Sequence, residues 1–136
     1  MSTKKVKQTR YKKFKKGRLK KFEFKVNNLK FGTLGLKAVQ SGIIKSHQLV
    51  AAKQAVTKKI KKNGKLWTNV FTNFSVTTKP VGTRMGKGKG AISHWVAKVS
   101  CGSILFEVCS FNDNISFSAL KIGSSKLPIK TKIVRN

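Results

Sequence analysis

Acidic residues are almost missing from this chain. Of its 136 residues only Glu23, Glu107 and Asp113 are acidic, against 31 Lys and Arg, which gives a formal charge of +28. General acid–base catalysis needs at least two titratable groups held together, and these three, with His47 and His94, are scattered along the sequence. No Ser-His-Asp or Cys-His order stands out, so no catalysis is expected. Glu107 sits inside an apolar run and is expected to be a structural partner for a lysine, not a reacting group. Cysteine is scarce as well. Cys101 and Cys109 supply neither a disulfide framework nor the four closely spaced ligands of a zinc site, so free thiols in a reducing compartment are expected, with no metal and no cofactor. No apolar run reaches the roughly 18 residues of a membrane-crossing helix. The basic segments also lack the wide apolar face of an interfacial helix, which excludes a membrane as the expected partner.

What is present in excess is positive charge. A 136-residue chain fits one domain able to bury roughly two-thirds of its unfolded surface, but +28 would strain a compact isolated fold by self-repulsion. The compensating charge must come from outside, and the phosphate backbone of a nucleic acid is the densest source of it. Two stretches concentrate the cations. Residues 1–21 carry Lys4, Lys5, Lys7, Arg10, Lys12, Lys13, Lys15, Lys16, Arg18, Lys20 and Lys21, interleaved with Tyr11 and Phe14. Too little there is apolar to build a packed element, so a basic arm that orders on nucleic acid is expected, its aromatics able to stack on bases. An organelle transit peptide is the alternative, weighed against by lysine bias and scarce serine.

The second stretch is KPVGTRMGKGKG at 79–90, within an extended loop of residues 79–92. Glycines 86, 88 and 90 permit positive φ and close backbone approach. Arg84, Lys87 and Lys89 between them are compensated only by an anion, so the loop is expected to order only against phosphate. A nucleotide-binding P-loop is excluded: GxxxxGK[ST] requires Ser or Thr after the Lys and a helix after that, whereas Gly88 follows Lys87 and a strand pattern comes next.

The rest of the sequence reads as one α+β domain, residues 22–136, with two helices on antiparallel strands. FEFKV at 22–26 alternates as a strand with Phe22, Phe24 and Val26 on one face. FGTLGLKAV at 31–39 suggests an irregular strand with close backbone approach at its glycines. Ser46 offers the N-cap of a helix to about Lys62, with Leu49, Ala52, Val56 and Ile60 as the buried stripe, widened by Ala51 and Ala55. Lys58, Lys59, Lys61 and Lys62 gather at its end, and Asn63-Gly64 is expected to provide the left-handed stop. Strands are expected over 65–71 and 74–78, and 93–100 with 103–108 as a hairpin turning at Cys101-Gly102. A second helix follows from the cap Asn114 to about Ser125, with Ile115, Ala119, Leu120 and Ile122 apolar. Gly123 and its serines weaken its propensity, so docking must stabilise it. Residues 129–134 form a last strand with Lys130 and Lys132 pointing away from the sheet.

KPVGTRMGKGKG at 79–90, HWVAKV at 94–99, ILFEV at 104–108 and SKLPIKTKIV at 125–134 resemble the ribosomal protein uL16 family, the bacterial-type L16 of the large subunit. TRYKKFKKGR at 9–18, FGTLGLKAV at 31–39, AAKQAVTKKIKKNGKLW at 51–67 and VFTNFSVTTKP at 70–80 continue the likeness in one colinear register. The resemblance implies an α/β-hammerhead (L16/L10e-like) fold and a structural, non-catalytic place in translation. It implies large-subunit rRNA as partner, with 5S rRNA, A-site and P-site tRNA and neighbouring ribosomal proteins nearby. Carried over, Arg84, Met85, Gly86, Lys87, Gly88 and Lys89 would lie nearest rRNA and tRNA by the peptidyl-transferase region. The arm from Lys4 to Lys20 and the helix lysines 58, 59, 61 and 62 would anchor on rRNA. The chain departs from the family in having Cys109-Ser110 where an Asp-Gly turn is usual, a less acidic second helix, and Gly82-Thr83 for a stiffer pair. A generic nucleic-acid-compacting protein is the alternative function. The likeness begins near residue 3, so no cleaved presequence is expected. Richness in Lys, Phe, Asn and Ile with scarce acid points to a mitochondrion-encoded protein, with plastid or bacterial cytoplasm as alternatives.

Overall fold

The computed structural model describes residues 12–19, 22–24 and 28–135. Lys4, Lys5, Lys7, Arg10 and Lys20 of the basic arm lie outside the described residues, as do Lys25 and Val26. The elements are β1 (Leu34–Ala38), β2 (Gly42–Lys45), α1 (Ser46–Ile60), β3 (Gly64–Thr68), β4 (Phe74–Thr78), β5 (Ala91–Val99), β6 (Ile104–Ser110), α2 (Asp113–Ser124) and β7 (Thr131–Arg135). They form two sheets, a larger one ordered β3-β6-β1-β7 and a smaller one ordered β2-β5-β4. Every pairing of named strands is antiparallel. The expected α+β class, two helices with antiparallel strands, is what the chain adopts.

The helices pack on each other and on one face of the larger sheet. Leu34 and Leu36 of β1 and Phe106 and Val108 of β6 meet Ala52, Val56 and Ile60 of α1 and Ala119 and Leu120 of α2 in one buried cluster. Each large side chain so buried contributes about 1.5–3 kcal/mol. Leu49 completes the helix stripe from a half-buried position, but Ala51 is exposed and does not widen it. The second helix explains its own composition. A Cβ on Gly123 would stand 2.5 Å from Val56 Cγ2, so the glycine that weakens the helix is what allows the two helices to touch. Ser116 of the same helix is also buried, and its Oγ shares a hydrogen bond with Ser110 Oγ at 2.6 Å. Ile122, expected on the apolar face, is 40% exposed.

Helix boundaries differ from expectation by a residue or two. Ser46 is the first residue of α1 rather than its cap, and the Gln48 side chain closes the turn by accepting from Lys45 N–H. Asn112, not Asn114, caps α2: its Oδ1 accepts from Asn114 N–H at 3.0 Å. At the end of α1 the positive φ falls on Lys61 (φ 55), whose N–H returns to Thr57 O. Gly64 is already strand, and the tight approach of β6 explains its identity, since a Cβ there would lie 2.5 Å from Cys109 O.

Three strand expectations are corrected. The reversal at Cys101-Gly102 exists, with Ser103 N–H donating to Ser100 O and Gly102 at φ 94. Its two arms, however, do not pair: β5 lies between β2 and β4 in the small sheet, and β6 between β3 and β1 in the large one. The end of β1 enters the turn, Ala38 N–H donating to Ser103 O and Gly102 N–H to Ala38 O, so the chain crosses from one sheet to the other. FEFKV does not form a strand over its described part. Phe22 makes one parallel bridge to Cys101, Glu23 N–H donates to Cys101 O, and both Phe22 and Phe24 are exposed. The strand over 65–71 stops at Thr68, although Asn69 N–H still donates to Leu105 O of β6 while its side chain reaches Glu107.

Candidate nucleic-acid interface

The glycine-rich stretch is the connection between the paired strands β4 and β5, whose register closes at Thr78↔Ala91. Gly90 is there because a Cβ would lie 2.5 Å from Thr78 O. The loop then opens by a turn in which Thr83 N–H donates to Pro80 O, with Gly82 at φ 82 in the position that requires glycine. At the tip, Gly86, Lys87 and Gly88 take φ values of 91, 50 and 81 in succession. No atom comes within 4 Å of a Cβ placed on Gly86 or Gly88, so backbone conformation, not crowding inside the chain, selects glycine there. Lys87 bears the left-handed strain that its neighbours avoid, about 1–2 kcal/mol.

The loop is braced from two sides, which corrects the expectation that only phosphate could order it. From within, Lys79 Nζ donates to Gly86 O at 2.7 Å. From outside, the basic arm reaches it: Lys13 Nζ donates to Lys89 O at 3.0 Å, and Lys89 Nζ donates to Phe14 O at 2.5 Å. Arm and loop thus clasp each other through reciprocal lysine–carbonyl bonds. Carbonyl oxygens hold the ammonium groups in place but leave their charge uncancelled.

The arm is not without packing either. Residues 12–19 have no regular structure, yet they lie against the small sheet at three successive points. Ser75 Oγ donates to Lys12 O, the Phe14 ring meets Phe74 edge-on at 5.5 Å, and Lys98 Nζ donates to Lys16 O while standing 4.4 Å over the Phe74 ring. Phe14 is therefore occupied by the protein and is not free for a base, contrary to expectation. Lys12, Lys13, Lys15, Lys16 and Arg18 are all exposed. Loop residues 79–89 are exposed throughout, Met85 almost completely. Arg84 and Lys87 make no hydrogen bond or ion pair with any described residue. The structure brings the arm and the loop into one cationic surface. It does not bring the helix lysines there: Lys58, Lys59, Lys61 and Lys62 are exposed around the end of α1, beside β3 of the other sheet.

Two of the carboxylates are held away from this surface. Asp113 pairs with Arg135 at 2.8 Å on an exposed site, where such a bond stabilises by about 0–1 kcal/mol. Glu107 is completely buried, and its partner is not a lysine. Its Oε2 accepts from the backbone N–H groups of Lys30, Phe31 and Gly32 at 3.0, 2.7 and 3.0 Å, and its Oε1 from Asn69 Nδ2 at 2.5 Å. Burial pushes its pKa up, but the hydrogen bonds from Phe31, Gly32, Asn69 and Lys30 outweigh this and hold it below the ordinary value. The sequence signal was a carboxylate in an apolar strand, which only neighbouring donors can satisfy, but nothing local says that the backbone donors lie some 75 residues upstream and the Asn69 side chain 38. Among the described residues no cluster of His, Cys, Asp and Glu could hold a metal ion, and Cys101 and Cys109 are free thiols.

A family model of ribosomal protein L16p/L10e matches residues 6–134. The chain is 43% identical over 129 residues to large ribosomal subunit protein uL16 of Blochmanniella pennsylvanica (strain BPEN), spanning 94% of this chain and 95% of that one. It is 40% identical over 129 residues to large ribosomal subunit protein uL16 of Bartonella henselae (strain Houston 1), spanning 95% and 94% respectively.

Proposed function

The chain belongs to the ribosomal protein L16p/L10e family, and from that premise we propose that it is a structural, non-catalytic constituent of the large ribosomal subunit. The basic arm and the end of α1 anchor it on rRNA, and the glycine loop is the part offered to the tRNA path. The observation that carries this division of labour is the clasp between arm and loop through Lys13 and Lys89. Anchoring the arm on folded RNA fixes the base of the loop, and the tip presents Arg84 and Lys87, free of partners within the described chain, to a second polyanion. Backbone at Gly86 and Gly88 can approach a phosphate or a sugar edge without a side chain in the way.

On this reading 5S rRNA and the A-site and P-site tRNAs are neighbours of the loop side, and other ribosomal proteins border the rest. Composition favours a mitochondrial ribosome; the two relatives above are bacterial, and fractionation of the organism's organelles decides the compartment. The test of function separates two sets of cations. Changing Arg84 and Lys87 together to Ala should leave incorporation into large subunits intact and impair tRNA placement. Changing Lys89 to Ala should in addition loosen residues 12–19, read as faster amide exchange there. Loss of incorporation in the Arg84/Lys87 double variant would make the loop an anchor. Equal binding to any duplex in place of large-subunit rRNA would favour a generic compacting protein.

A further inference from the structure

One of the chain's few carboxylates is buried to hold a stretch of surface backbone. The reason lies on the face of the larger sheet that the helices leave uncovered. Trp67, Glu107, Gly35 and Val134 stand in one row across β3, β6, β1 and β7, and strand alternation puts Lys65, Lys37 and Lys132 on the same face. Residues 28–32 cross it. Gly35 makes room for them, since a Cβ there would collide with Leu29, and Gly32 does the same against Val108 O. Glu107 then grips the amides of Lys30, Phe31 and Gly32.

The grip places one ring. Phe31 stacks on Trp67 with centroids 6.0 Å apart and planes 20° apart, and Lys65 Nζ lies 5.3 Å from the Trp67 centroid. Phe31 nevertheless stays 60% exposed. An apolar side chain meant for the core would not be pinned in the open by a buried charge, and a two-ring stack ending in a free face beside ammonium groups matches what stacks a nucleobase and neutralises its phosphate. Resting on the rRNA-binding reading above, we propose that Phe31, backed by Trp67 and flanked by Lys30 and Lys65, is a stacking site for an unpaired RNA base, separate from the arm and loop. Glu107 and Asn69 are its positioning residues. The site is sequence-tolerant, because every base has a π-face, and suited to single strands, because a base inside a duplex has both faces stacked on its neighbours.

The experiment uses the full chain with Trp95→Phe, so that Trp67 is the only tryptophan, titrated with a short oligoadenylate and with an RNA duplex. The fluorescence of Trp67 should change on binding the single strand. Phe31→Leu should weaken single-strand affinity by roughly 5- to 150-fold, with the salt slope unchanged because no phosphate contact is lost, and Phe31→Tyr should restore it. Glu107→Gln should weaken it in the same direction by freeing the ring from its place. A melting curve for each variant separates a lost site from a lost fold. A parent chain that binds RNA with a steep salt slope, together with a Phe31→Leu variant of equal affinity and an unmoved Trp67 signal, would overturn the stacking site and leave the face to a protein neighbour. A parent chain showing no salt-dependent RNA binding at all would overturn the rRNA-binding reading with it.

Discussion

Removing the Glu107 carboxylate is the perturbation whose size the structure defines best. Glu107→Ala deletes the acceptor of four donors, the amides of Lys30, Phe31 and Gly32 and the Asn69 side chain. A buried donor left without an acceptor costs about 1–3 kcal/mol, so four would cost up to ~12 kcal/mol if nothing moved. Residues 28–32 lie at the surface, with Asn28, Lys30 and Phe31 exposed, and can peel away to let water take their amides. The loss is then limited to the docking of that segment, about 3–4 kcal/mol. For a domain of this size that lowers the melting temperature by roughly 10–15 °C. Glu107→Gln keeps the shape and one acceptor but turns an NH2 toward donors, so a loss of about 2–3 kcal/mol is expected. The pH dependence carries the sign. Because the folded-state pKa is depressed, the stabilisation is fully present above the ordinary value of 4.5 and is lost as pH falls through the lower folded-state value. Thermal or urea unfolding at fixed salt, followed from neutral pH to below 4, should therefore show the gap between wild type and Glu107→Gln narrowing on acidification. Variants within about 0.5 kcal/mol of wild type, with parallel pH profiles, would refute the reasoning.

Other outcomes follow from the packing and the loop. Gly123→Val should destabilise by about 1–3 kcal/mol through overpacking against Val56, and Gly123→Ala by less, because better helix propensity returns up to ~1 kcal/mol; chemical unfolding measures both. Gly86→Ala and Gly88→Ala should each cost about 1 kcal/mol of loop strain with the melting temperature of the domain nearly unmoved, while tRNA placement by reconstituted subunits declines. Binding of the chain to large-subunit rRNA should fall steeply with salt, with a log–log slope on the order of −4 or steeper for six or more phosphate contacts, measured by filter retention or sedimentation.

The two helices and most strands were legible because their burial is periodic: Ala52, Val56 and Ile60 mark α1 by spacing alone. What the sequence hid was of three kinds. The reversal at Cys101-Gly102 fixes a change of direction but not which strand fills each edge, and β1, some 65 residues upstream, decides that. Gly123 and Ser116 looked like weak helix formers because propensity is local, while their purpose is contact with α1 and β6. The clasp of Lys13 and Lys89 and the grip of Glu107 on Lys30–Gly32 join residues more than 70 positions apart. No pattern of charge along the chain encodes such pairs. The loop cations were legible as a candidate surface because three acids cannot neutralise 31 bases. That Lys89 is engaged with the arm, and Arg84 and Lys87 are not, follows only from the fold.

A density map of the large ribosomal subunit containing this chain tests most directly whether arm and loop act as one cationic surface against folded RNA. It should show rRNA phosphates within hydrogen-bonding reach of Lys12–Arg18, with the loop tip at Arg84 and Lys87 directed to the tRNA path. A map in which both stretches face solvent or other proteins would contradict it.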